Sequence, residues 1–150
     1  MQLEAQVSIA GSKEAIWKVI TDIENSAQLI TAIEQIDILE RPDSGIVGLK
    51  WRETRTMFGR AATEVMWITN AEDNEFYETR AESHGAIYRS RLQIEEQGGK
   101  SILTMTFSGE PQQLVAKIMA FVTGFIFRRA TQNALQADLE DIKKVVEGSN

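Results

Sequence analysis

A change in the spacing of apolar residues constrains the fold more than any other feature of this sequence. Up to residue 109, the chain contains short runs in which apolar and polar residues alternate, as in half-buried strands. Residues 111–147 instead repeat apolar residues at three- and four-residue steps, which is the spacing of one face of a helix. The repeating residues are Leu114, Ile118, Phe121, Phe125, Leu135, Leu139, Ile142 and Val146. The sequence therefore predicts a β-rich body followed by one long C-terminal helix.

The alternating runs predict about seven strands. They cover residues 3–9, 35–40, 49–58, 62–69, 75–83, 86–95 and 101–109. Gly98 and Gly99 separate the last two runs and form a strong hairpin signal. Because the connections between these runs are short, we expect a mainly antiparallel sheet.

Two short helices are predicted between the first two strands. Ser12 is a suitable N-cap, and Ile16, Ile20 and Ile23 follow it with helical spacing to about residue 24. Asn25 and Ser26 interrupt this pattern, and a second short helix is predicted over residues 27–33.

Composition excludes several classes of function. The chain has 150 residues, which suits a single domain over 1–150. It has no Cys and one His, which excludes disulfides, a Cys-ligated zinc and a His-rich metal site, and we expect no cofactor. A net charge of -6 disfavours nucleic acid as a partner. The start lacks the pattern of a signal peptide and no apolar run spans a bilayer, so we expect a cytoplasmic protein without stable membrane insertion.

The order of these elements, together with several soft motifs, resembles the SRPBCC superfamily, the START and birch-pollen-allergen type of helix-grip protein. Within it, the chain is most similar to the bacterial polyketide cyclase/dehydrase and lipid-transport group. The residues that carry the likeness are VSIAGSKEAIWKVITDIE (7–24) with Trp17 and Asp22, IVGLKWRETRTMFG (46–59), YRSRLQIEEQGGKSILTMTFSG (88–109) and LQADLEDIKKVVE (135–147).

The resemblance implies an α+β helix-grip fold, in which a curved antiparallel sheet of about seven strands wraps around the C-terminal helix. It also implies a cavity between sheet and helix that takes apolar ligands such as lipids, polyketides or aromatic metabolites. It supplies no catalytic motif, because members of the superfamily share the fold while their functions differ.

Alternation predicts which side chains face the cavity. In 49–58 the inner face should carry Trp51, Glu53, Arg55 and Met57. Glu53 and Arg55 could neutralise each other inside a cavity and orient a ligand's polar end. Alternatively, a wet strand centre or a reversed register would leave both at the surface. The remaining predicted ligand contacts are Tyr88, Ser90, Leu92, Met105, Phe107, Ile118, Phe121 and Phe125.

Tyr88 and His84 are the other groups able to donate hydrogen bonds or to transfer protons in a cavity. His84 stands between Ser83 and Gly85 in a turn-like sequence, so we expect it to be solvated at a hairpin end. Glu64, with other Glu and Arg residues of the strands, is predicted to form charge pairs on the outer face.

The segment 114–127 is apolar around much of its circumference. It could form the cavity mouth, a homodimer surface, or a membrane-touching entrance with Arg128 and Arg129 at its edge, and net acidity disfavours the last. Arg128 and Gln132 fall on the apolar stripe, and Gly124 is expected to bend or divide the helix.

Three functions agree with these features. We expect a non-enzymatic protein that binds a small hydrophobic molecule. A polyketide aromatase/cyclase would be an enzyme on the same fold, with Tyr88, His84, Glu53 or Arg55 as weak catalytic candidates. A protein-interaction module is the third hypothesis.

Overall fold

One antiparallel sheet of seven strands forms the body of the protein, in the spatial order β1-β7-β6-β5-β4-β3-β2. The computed structural model describes residues 2–57, 59–83, 85–111 and 114–148, with the side chains of all of these except Met57 and residues 111–127. The elements in chain order are β1 (Gln2–Ile9), α1 (Lys13–Ile20), a 3₁₀ turn (Ile23–Asn25), α2 (Ser26–Leu29), β2 (Ile33–Glu40), β3 (Lys50–Met57), β4 (Arg60–Glu72), β5 (Phe76–Ser83), β6 (Ala86–Gln97), β7 (Lys100–Pro111) and α3 (Leu114–Gly148). The α+β helix-grip prediction is confirmed.

Both short helices are shorter than the sequence predicts. Helix α1 begins as expected, with the Ser12 hydroxyl accepting a hydrogen bond from the Ala15 amide at 3.1 Å, but it ends at Ile20 and not near residue 24. Thr21 closes it by donating its hydroxyl to the Trp17 carbonyl at 2.6 Å. The second helix ends at Leu29, because Ile33 is already part of β2, where it is buried and pairs with β3.

The β6–β7 hairpin turns at Gly98 and Gly99, as predicted. Both glycines have positive φ angles, 57° and 90°, which residues with a Cβ rarely adopt. Strand β4 is longer than the alternating run 62–69 that predicted it. Its pairing with β5 shifts register between Ile68 and Asn70 and then continues to Glu72.

Helix α3 is continuous from Leu114 to Gly148, so Gly124 does not divide it. The helix packs over β1, β7 and α1. The side-chain amides of Gln132 and Gln136 donate to the carbonyls of Glu4 and Gln6, at 2.7 and 3.1 Å, so the helix also satisfies acceptors of the edge strand β1. Arg128 is exposed, contrary to its predicted place on the apolar stripe.

Candidate functional site

A cavity of about 100 Å³ lies between the concave face of the sheet, the short helices and α3. Its walls are mostly apolar. The sheet contributes Trp51, Met66, Leu92 and Met105, and the segment from α1 to the start of β2 contributes Ile20, Ile23, Leu29, Ile30 and Ile33. The cavity is therefore formed by elements from both ends of the chain, and a ligand inside it would lose contact with water on several sides.

Three charged side chains enter this apolar cavity and bind one another. Arg55 Nε donates to Glu53 Oε2 at 3.1 Å, and Arg55 Nη2 donates to Asp138 Oδ2 at 2.9 Å. The side chains of Arg55, Glu53 and Asp138 are 19%, 13% and 8% exposed. Trp51 Nε1 donates to the second oxygen of Glu53 at 3.3 Å. We call Glu53, Arg55 and Asp138 the cavity triad.

The triad is electrostatically unbalanced, since it holds two carboxylates and one guanidinium. Burial disfavours the charge of Arg55, but Asp138 and Glu53 outweigh it and raise the pKa of Arg55. Burial raises the pKa of Asp138, and the attraction of Arg55 offsets this only in part because Glu53 and Asp141 repel a second negative charge. The site thus keeps its cation charged and makes a second negative charge beside Glu53 unfavourable.

A third carboxylate lies on the same face of the sheet. Glu64 stands directly opposite Glu53 in the pairing of β3 with β4, and direct partners in a sheet point to the same side. The prediction that Glu64 lies on the outer face is therefore wrong. Arg91 and Glu78, by contrast, form an ion pair of 3.4 Å in which both side chains are 36% exposed.

The polar groups on β5 are engaged within the protein. The Tyr77 hydroxyl donates to the Ile20 carbonyl at 3.2 Å, which ties the sheet to the end of α1. Burial and, second, the charge of Glu53 raise the pKa of Tyr77, so the phenol stays protonated. Thr79 forms a hydroxyl–hydroxyl hydrogen bond with Ser90 on the adjacent strand.

Tyr88 and Phe107 lie further along the concave face and stack on each other, with ring centroids 5.7 Å apart and an interplanar angle of 20°. Neither ring lines the cavity described above. Burial, and then the charge of Glu64, raises the pKa of Tyr88. Their predicted contact with a ligand therefore concerns an extension of the cavity along the same strands and stays a prediction.

The structure brings several predicted site residues together around the cavity and leaves others outside its description. The cavity walls include Trp51, Glu53, Arg55, Ser90, Leu92 and Met105. The placement of His84 and the side chains of Met57, Ile118, Phe121 and Phe125 lie outside the described residues, as does the predicted homodimer surface on 114–127.

Asp138 is the main residue that sequence reasoning missed. It lies three residues after Leu135 and four before Ile142, so it occupies the apolar stripe of α3, and an acidic residue in that position was the available signal. Met66, Tyr77 and Thr79 were missed because the inward faces of β4 and β5 were ambiguous from the sequence.

Two negative findings apply to the described part of the chain. No group of three or more His, Asp or Glu side chains there is arranged to hold a metal ion. None of the described helices is long and apolar enough to cross a membrane.

Known proteins were compared with the chain by sequence and by structure. The model of the family described as polyketide cyclase/dehydrase and lipid transport matches residues 1–147. No curated protein matches in sequence.

Among solved structures, TTHA0849 from Thermus thermophilus is 12% identical with a TM-score of 0.84 and coverage of 100% of this chain and 99% of that one. The Zhui aromatase/cyclase from Streptomyces sp. R1128 is 15% identical with a TM-score of 0.77 and coverage of 98% and 93%. A START superfamily protein from Mycobacterium smegmatis is 19% identical with a TM-score of 0.70 and coverage of 94% and 98%. With a family match over nearly its whole length, the chain belongs to the polyketide cyclase/dehydrase and lipid transport family.

Proposed function

We propose that this protein binds a small hydrophobic molecule in the cavity between the sheet and α3. The observation that carries the proposal is an apolar cavity of about 100 Å³ in which the charged groups, Glu53, Arg55 and Asp138, meet one another. A few polar groups in a largely apolar lining are typical of ligand sites. The volume approaches that of cavities known to hold benzene, so a single aromatic ring or a short aliphatic group suits this part of the site.

A cavity-filling variant tests this proposal. Met105 lines the cavity, whereas the next residue, Thr106, points to the opposite face of β7. We expect toluene to bind one equivalent of the wild-type protein, as followed by amide NMR shifts, and to raise its melting temperature. Met105→Trp should abolish both effects, and the matched control Thr106→Trp should keep them.

Native mass spectrometry of the purified protein would identify a molecule that is retained through purification. Binding of toluene to both variants alike, or no binding to the wild type, would contradict the proposal.

A second candidate function is an enzyme of the aromatase/cyclase type. The cavity triad favours it, because Asp138 lies in an apolar site with a raised pKa and could donate a proton to a bound substrate. The structural similarity to the Zhui aromatase/cyclase supports the same reaction class. If the triad transfers protons, Asp138→Asn and Glu53→Gln should each slow cyclisation of a poly-β-keto thioester by about 100-fold with little change in affinity. Wild-type protein that does not accelerate this cyclisation would leave binding as the function.

A further inference from the structure

The charges around the cavity are unequal in number. Glu53 and Asp138 line it together with Arg55. In the described lining of the cavity, two carboxylates thus share one guanidinium. An apolar environment amplifies such an imbalance because little water is present to screen it.

The guanidinium already binds two of the protein's own carboxylates. Arg55 Nε and Nη2 bind Glu53 and Asp138 at 3.1 and 2.9 Å, on different elements. An anionic ligand that approached Arg55 would meet both carboxylates at close range. Its charge would add to a site that already holds excess negative charge, so the cavity disfavours carboxylates, sulfonates and phosphates.

The carboxylates, in contrast, keep unused capacity to accept hydrogen bonds. A carboxylate offers about four acceptor positions. In the described contacts, Glu53 accepts from Trp51 and Arg55, and Asp138 accepts from Arg55 alone. The phenol that lines the cavity, that of Tyr77, donates elsewhere, to the carbonyl of Ile20. Arg55 uses two of its five N–H donors in these contacts, so the two carboxylates keep more open acceptor positions than Arg55 keeps donors, and a ligand can supply the missing donors.

From this geometry we propose that the cavity selects small apolar molecules that carry a protonated amine, with the ammonium group facing Glu53 and Asp138 and the apolar part against Trp51, Leu92 and Met105. The inference rests on the proposed binding function and specifies the chemistry of the ligand's polar end.

Three probes with the same ring and different charge test the inference: benzylamine, toluene and benzoate at pH 7, titrated into the full chain and followed by NMR. We expect benzylamine to bind about tenfold more tightly than toluene, as one charge-assisted hydrogen bond would give, and benzoate to bind most weakly. Glu53→Gln should remove most of the preference for the amine and leave toluene binding unchanged. The matched control is Glu82→Gln, which removes an exposed carboxylate that binds Arg80.

The outcomes separate the two proposals. Benzoate or toluene binding as tightly as benzylamine would overturn the amine inference and leave the binding function in place. Benzylamine binding that persists in Met105→Trp would be attraction to the acidic surface, and it would also overturn the inference. If none of the three probes binds, both proposals fail.

Discussion

Replacing Arg55 with Met tests whether the cavity triad is an interdependent charge network. The substitution keeps an unbranched apolar side chain in place of the stem of the arginine but removes the cation that Glu53 and Asp138 share. Two carboxylates then remain in an apolar cavity without a compensating charge. We expect Arg55→Met to fold and to be markedly less stable than the wild type at pH 7.

The magnitude follows from the burial of the triad. Removing one partner of a buried ion pair costs about 3–5 kcal/mol. Because Arg55 keeps 19% of its side chain exposed, water can reach the site in part, and we expect the low end of that range. For a chain of this size, 1 kcal/mol corresponds to roughly 2–4 °C, so the melting temperature should fall by roughly 6–12 °C.

A control with the same sequence spacing lies on another strand. Arg80 and Glu82 are also two residues apart and form an ion pair of 2.6 Å, but their side chains are 31% and 56% exposed. Arg80→Met should cost less than about 1 kcal/mol. Urea unfolding followed by circular dichroism measures both free energies. Equal losses in the two variants would refute the reasoning, because burial would then make no difference.

Three further predictions follow from single contacts. In the folded protein the pKa of Asp138 is raised above its ordinary 3.8, so the protonated carboxyl stabilises the fold below pH 3.8 and this stabilisation is lost as the pH rises through the folded pKa. Asp138→Asn should therefore cost less stability at pH 7 than near pH 3.5, as measured by urea unfolding. Gly11→Ala should destabilise by about 1–3 kcal/mol, since its Cβ would meet Val146 Cγ1 at 2.7 Å, while Gly148→Ala, with open space around it, should not; thermal melts compare them. Ser12→Ala removes the N-cap of α1 and should cost about 1 kcal/mol in the same melts, and an unchanged melting temperature would contradict the role of the cap.

The inward face of β3 could be predicted, whereas that of β4 could not. In β3, Trp51 shares a face with Glu53 and Arg55, and a large aromatic residue indicates the buried side. In 62–69, one face carries Met66 and Ile68 and the other carries Val65 and Trp67, so both are apolar. The structure places Ile68 inward and sets Lys50 over the ring of the outer Trp67 at 5.7 Å, which shows how an outer aromatic side chain is accommodated. That is why Glu64 was assigned to the wrong face.

The types and order of the elements were determined by the sequence itself, because they depend on local periods of two and of three to four residues. The positive-φ turn at Gly98 and Gly99 and the N-cap at Ser12 are local in the same sense. Only the tertiary structure decided where the charges meet. Arg55 and Asp138 are 83 residues apart in sequence, and their contact exists because α3 packs across the sheet and points the buried Asp138 at β3. No local sequence pattern relates residues that are so far apart in the chain, so the triad could be recognised only from the packing of the helix on the sheet.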